Sequence, residues 1–249
     1  MEAARISTIR GHKVTLLEKG PELGGNIVPG SVPDFKEDDR ALLEWYKVQL
    51  GKLPVEIKLN CTADKELIKK SNADIVIFST GSTPVKLNFG NKNHVCTADD
   101  ILKGNEKAGE NVLVVGGGLV GCETGLWLSR QGKRVTIMEA LLEILGGGKD
   151  MCFANYDMLK DLLVFHKIGV YRSSTVKTVD DAFVTIKTPE GEKKVKADTV
   201  IISVGYRSNS SLYDSMITSN KIVYNVGDSR NVHNIMYAIW DAYQLTREL

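Results

Sequence analysis

Apolar and polar positions change period repeatedly along this chain, and each change predicts an element. Glu2 to Arg10 carries a helical pattern, and Lys13-Val14-Thr15-Leu16-Leu17-Glu18 reads as a strand. The next helix runs from Lys36 to Lys52, with Leu42, Leu43, Tyr46 and Leu50 at helical spacing as one buried stripe. Val55 to Leu59 predicts a short strand, Lys65 to Lys70 a helix, and Ile75 to Ser79 a buried strand. Residues 88–104 read as a connection, with Thr97 capping a short helix over Ala98 to Leu102. Then come a strand at Val112 to Val115, a helix at Cys122 to Gln131 ended by Gly132, and a strand at Arg134 to Met138. Met151 to Phe165 is an amphipathic helix. Alternating segments at Thr175 to Val179, Phe183 to Lys187 and Lys194 to Lys196 form a meander around Pro189-Glu190-Gly191. Strands at Thr199 to Val204 and Ile222 to Val226 and a closing helix from Asn234 to Leu249 complete the pattern. Alternation of strand and helix predicts an α/β fold with parallel sheets.

The stretch from Val112 to Glu139 carries the most chemistry. An apolar strand runs into Gly116-Gly117-Gly118-Leu119-Val120-Gly121, a helix follows, and a second strand ends at Glu139. Gly116 allows a tight turn, Gly118 lets the backbone approach a pyrophosphate, and Gly121 lets the helix pack on the sheet. The helix N-terminus then offers unpaired N–H groups and the positive end of its dipole. Glu139 stands 23 positions after Gly116, the separation at which an acid closes on the adenosine ribose hydroxyls. Its charge would repel a 2'-phosphate, so NAD(H) is expected over NADP(H). Gly205, at the end of the strand from Thr199, is expected close to the nicotinamide half. Gly146-Gly147-Gly148 has no apolar strand before it and reads as a flexible loop.

The chain repeats itself. At an offset of 121, Val14, Thr15 and Glu18 fall on Val135, Thr136 and Glu139, and Glu2 falls on Glu123. At an offset of 124, Ala73 to Gly81 falls on Ala197 to Gly205. Two copies of one nucleotide-binding plan are therefore expected, with the NAD domain at 107–217 inserted into a FAD-type domain at 1–106 and 218–249. In the first copy Met1 aligns with Cys122, so its first strand and glycine turn are expected to be absent.

The order Val14-Thr15-Leu16-Leu17-Glu18-Lys19, Leu23-Gly24-Gly25, Ser79-Thr80-Gly81, Val114 to Thr124, Gly205-Tyr206-Arg207 and Val226-Gly227-Asp228 resembles the flavoproteins with two dinucleotide-binding (Rossmann-like) domains. It is most similar to the C-terminal part of the NADH:flavin oxidoreductases related to 2,4-dienoyl-CoA reductase, 2-enoate reductase and trimethylamine dehydrogenase. The resemblance implies FAD contacts at Glu18, Lys19, Gly25, Asn26, Thr80, Gly81, Gly227 and Asp228, with Asp228 on the ribityl chain. It implies NAD contacts at Gly116, Gly118, Leu119, Val120, Gly121, Glu139 and Gly205. Glu123 resembles a glutamate near the nicotinamide in related enzymes, with a capping role in the first turn of its helix as the alternative. An N-terminal FMN-binding and iron-sulfur part is expected in an intact parent.

Charge adds little. With 32 basic and 31 acidic residues there is no electrostatic case for nucleic acid or for an anionic membrane. No segment reads as transmembrane or as an apolar signal core, so a cytoplasmic location is expected. Cys61, Cys96, Cys122 and Cys152 lie too far apart in sequence for a redox pair, a zinc site or a cluster built on local spacing, and no metal is expected. Hydride transfer from nicotinamide to flavin needs no protein acid or base. The leading expectation is an NADH-dependent flavin reductase half. The rival is a module that binds NADH or an adenine nucleotide without turnover.

Overall fold

A computed structural model describes residues 1–89, 94–149 and 151–249. The chain divides into two compact units: 1–31, 36–83 and 206–249 form the first, and 32–35 with 84–205 the second.

The first unit opens with α1 (Glu2–Ile9), β1 (Thr15–Leu17), a single turn α2 (Ile27–Gly30) and α3 (Glu37–Gly51). It continues through β2 (Glu56–Lys58), α4 (Lys65–Lys70), β3 (Ile75–Phe78) and β4 (Ser82–Pro84). The second unit holds β5 (Val95–Thr97), α5 (Ala98–Leu102), β6 (Asn111–Val115), α6 (Leu119–Arg130), β7 (Arg134–Met138), α7 (Phe153–Phe165) and β8 (Gly169–Tyr171). Its remaining strands are β9 (Thr175–Val179), β10 (Phe183–Thr188), β11 (Gly191–Lys196) and β12 (Thr199–Ile202). The chain returns to the first unit with β13 (Tyr206–Ser208), α8 (Ser211–Asp214), β14 (Ile222–Asn225) and α9 (Ile235–Thr246).

The second unit is built on a five-stranded parallel sheet in the order β5-β12-β6-β7-β8. Alternation along β6 divides its core. Val112 and Val114 face α6 and α7 through Cys122, Leu126, Leu159 and Leu163. Leu113 and Val115 face the antiparallel meander through Val184, Ile186 and Val195. All four residues of β6 from Val112 to Val115 are buried, as a parallel strand covered on both faces requires. Thr97 closes a reciprocal cap with Asp100 at the start of α5.

Here the structure departs from the sequence reading. The segment expected as a connection holds the expected helix α5 but also supplies β5, which pairs with β12; its residues 90–93 lie outside the described residues. The compact units part at 31/32, 35/36, 83/84 and 205/206. The short strands β5 and β8 carry too few residues for a period to show.

In the first unit β1 pairs in parallel with β2, and β14 with β3. β3 is only half-buried up to Ile77, where the sequence predicts a buried strand. The reason is its neighbours: among the described residues β14 alone pairs with it, whereas its repeat counterpart β12 lies between two strands and is wholly buried. On α3, Leu43, Tyr46 and Leu50 are buried as the periodicity requires, but Leu42 lies at the margin of the stripe and is half-buried. A bidentate bond from Arg5 to the buried Glu2 pins α1, and the Arg5 guanidinium lies over the Trp45 ring of α3.

Candidate functional site

In the second unit β6 ends at the glycine turn. Gly116 has φ +108°, and a Cβ there would fall 2.2 Å from the Ser203 carbonyl oxygen. A Cβ on Gly121 would fall 2.0 Å from the Gly116 oxygen. These two glycines are therefore demanded by the protein's own packing. Gly118 is different: its backbone is ordinary and extended, and a Cβ would meet nothing within 4 Å.

The open side is also where donors are unspent. α6 starts at Leu119, three residues before its expected start at Cys122, and no side chain caps it. The orphan N–H groups of its first turn, around Gly118, Leu119 and Val120, thus border the space beside Gly118. The earlier start places Glu123 beyond the first turn, which removes the capping role expected as its alternative.

Glu139 braces the turn. Its Oε2 accepts the Gly117 N–H at 2.6 Å and its Oε1 accepts the Leu141 N–H at 2.8 Å. The carboxylate is thus held half-buried at the end of β7, beside the glycine turn. The segment after it, Ile144 to Gly148, is a tight built turn and not the free loop expected from its glycines. Leu145 is buried at φ +56° and donates its N–H to the Gly117 oxygen at 2.7 Å. Ile144 presses on the open face of Gly117, where a Cβ would meet it at 2.8 Å.

Cys122 packs beneath, with no exposed surface, and its Sγ donates to the Gly117 oxygen at 3.3 Å. Burial, reinforced by Glu139 and Glu123, pushes its thiol up to about 12. Gly205, at φ +99°, follows Ser203 and Val204 directly off β12. Ser203 touches the turn beside Gly116 and Gly121, and no motif marked it in the sequence.

In the first unit the structure gathers some expected residues and separates others. Asn26, from the loop after β1, donates from Nδ2 to Ser82 Oγ at 3.1 Å. Ser82 Oγ donates to Asp228 Oδ2 at 2.9 Å, and Asp228 Oδ1 accepts the His233 N–H at 3.1 Å. Gly25 and Gly81 take positive φ with open space where a Cβ would be. The Gly227 N–H is held from behind by Asp241 of α9 at 2.8 Å, and the same carboxylate pairs with Arg230. Thr80 turns aside, giving its hydroxyl proton to the Asn209 oxygen at 2.6 Å. Glu18 closes its own turn by accepting the Gly20 N–H at 2.7 Å, and Lys19 is exposed. Asn209 and Asp241 were not singled out by sequence reasoning. Each is a single polar residue whose partner lies far along the chain or on another element.

A match to the pyridine nucleotide-disulphide oxidoreductase family covers residues 1–244. The chain belongs to this family. Among its relatives is the cinnamate reductase of Clostridium sporogenes, 50% identical over 250 residues, which span 100% of this chain and 37% of that protein. The NADH oxidase of Thermoanaerobacter brockii is 31% identical, with 100% and 39% covered. The solved structure of a 2-naphthoyl-CoA reductase complex superposes with a TM-score of 0.92 at 28% identity, covering 100% of this chain and 38% of that one. The chain thus spans about two fifths of the length of these related flavin oxidoreductases. Family membership carries with it the use of FAD and a pyridine nucleotide. The chain has four free cysteines, of which Cys152 is exposed and Cys122 buried. Among the described residues no group of three His, Cys, Asp or Glu could hold a metal, and no helix is long and apolar enough to cross a membrane.

Proposed function

We propose that this chain is the NADH-oxidising part of a larger cytoplasmic flavoenzyme, binding NADH on the second unit and FAD on the first. The observation that carries the reading is the division of labour among three glycines. Two of them are required by packing, and the third, Gly118, faces open space beside uncapped helix donors. That arrangement suits an anion with two or more oxygens, and a dinucleotide pyrophosphate is one.

When bound, the two cofactors supply the redox step, a hydride and its two electrons passing from nicotinamide to flavin. The protein's share is placement. Gly118 admits the pyrophosphate to the N-terminus of α6, and Glu139 sits at the end of β7 to accept the ribose hydroxyls. Its negative charge favours NAD(H) over NADP(H). Leu119, Val120 and Gly205 complete the groove, with Glu123 on the nicotinamide side. On the first unit Glu18, Lys19, Gly25, Asn26, Thr80, Gly81, Gly227 and Asp228 take the flavin nucleotide. A flavin held there would pass its electrons to a centre outside this chain, an FMN or iron-sulfur part of the parent.

The test is the visible absorption spectrum of the purified chain, before and after NADH is added without oxygen. A flavin spectrum that bleaches with NADH is the expected result. A colourless chain that still binds NADH would favour the rival reading of a binding module without turnover.

A further inference from the structure

We infer that Ser82 is a positioning residue for the flavin nucleotide, aiming the Asp228 carboxylate at sugar-chain hydroxyls through a hydrogen-bond relay from Asn26. The inference deepens the proposed flavin site and rests on it.

Ser82 is buried, at 6% exposure, one residue after Gly81. Its hydroxyl has one proton, and the geometry spends it on Asp228 Oδ2 at 2.9 Å. Its lone pairs are left to accept from Asn26 Nδ2 at 3.1 Å, and the same amide nitrogen lies 3.2 Å from the Ser82 carbonyl oxygen. Three segments, around residues 26, 82 and 228, are thereby joined at one hydroxyl.

The consequence falls on Asp228. One of its oxygens is fixed by Ser82 and the other by the His233 backbone N–H, so the carboxylate cannot rotate without losing both bonds. Behind it, the turn itself is held by the bond from the Gly227 N–H to Asp241. Each carboxylate oxygen keeps a further lone pair, and an acceptor-only group already held by two donors takes more donors. The fitting ligand chemistry is a polyol, such as the ribityl chain, and not a second anion. Asn26 and Ser82 carry no charge, so their part is to orient and not to attract.

The experiment compares the wild type with Ser82→Ala and Ser82→Thr, measuring FAD affinity by flavin fluorescence and ADP affinity by competition. ADP shares the adenine end of FAD and has no ribityl chain. Ser82→Ala is expected to weaken FAD by about tenfold or more, the loss of one hydrogen bond to a charged group. ADP affinity should stay unchanged, and Ser82→Thr, which keeps the hydroxyl, should restore FAD. Equal loss of FAD and ADP, or no loss of FAD, overturns the assignment. If the wild type takes up no FAD, the flavin reading itself falls. Hydrogen exchange at the His233 amide then tests Ser82 separately: faster exchange in Ser82→Ala that Ser82→Thr reverses upholds the positioning of Asp228, and an unchanged rate overturns it.

Discussion

Substituting the glycines of the turn one at a time separates folding from binding. At Gly118 a valine side chain enters open space from an extended backbone, so its cost to the fold is about 1 kcal/mol or less, the scale of a changed helix N-cap. For a chain of this length that is a shift of a few degrees in Tm at most. The same side chain would hold a pyrophosphate off the α6 N-terminus. Losing two backbone hydrogen bonds to charged oxygens, at about 1.5–3 kcal/mol each, amounts to roughly 10²- to 10⁴-fold in NADH affinity. Gly116→Ala reverses the balance. At φ +108°, with a carbonyl oxygen 2.2 Å from the new Cβ, strain and overlap together cost about 2–6 kcal/mol, or on the order of 10 °C in Tm. Calorimetric titration with NADH and thermal melts of both variants make the comparison. If Gly118→Val melts as early as Gly116→Ala, or binds NADH as the wild type does, the assignment of Gly118 to the dinucleotide is refuted.

Two further expectations concern the same turn. Glu139→Arg should shift the ratio of NADH to NADPH affinity toward NADPH, and it should also lower affinity for both, because the Gly117 and Leu141 N–H groups lose their acceptor; an unchanged ratio of dissociation constants would place the ribose elsewhere. Burial raises the thiols of Cys96 and Cys122 from the ordinary 9.0 to about 12, so both stay protonated in the folded chain. A thiol reagent at pH 8 should therefore react first at the exposed Cys152 and last at Cys122, as peptide mapping by mass spectrometry would show. The raised values favour the folded state fully below about pH 9, and that contribution is lost as pH rises through about 12.

The elements with long periods were legible in the sequence. α3, α4, α5, β7 and α9 lie within a few residues of their expected bounds, because their stripes and caps span enough residues to be counted. The three-residue strands β4, β5, β8 and β13 were not, whereas β1 and β2, equally short, lie inside longer apolar-polar runs that could be read. Burial of β3 was misjudged for a different reason: an apolar run shows that a strand can be covered, and its neighbours decide whether it is. The glycines of the turn could be named from their spacing, but only the backbone separates those required by a carbonyl at 2.0 or 2.2 Å from the one facing open space. Asp241 gave no signal, and neither did the bond from Ser82 to Asp228. A serine two residues past Thr80 looks like any turn residue until the chain brings Asp228 within 2.9 Å of it.

β4 and β13 pair with each other, and immediately beyond them the Val85 N–H bonds to the Gly205 oxygen at 2.9 Å. The two ends of the 84–205 segment thus meet one hydrogen bond apart. To the polypeptide that hosts it, a guest with touching ends is no more than a short hairpin loop, and the entropy of closing that loop is already met by the guest's own folding. Two compact units can in this way share one chain, the 84–205 segment leaving and re-entering its host at adjacent positions.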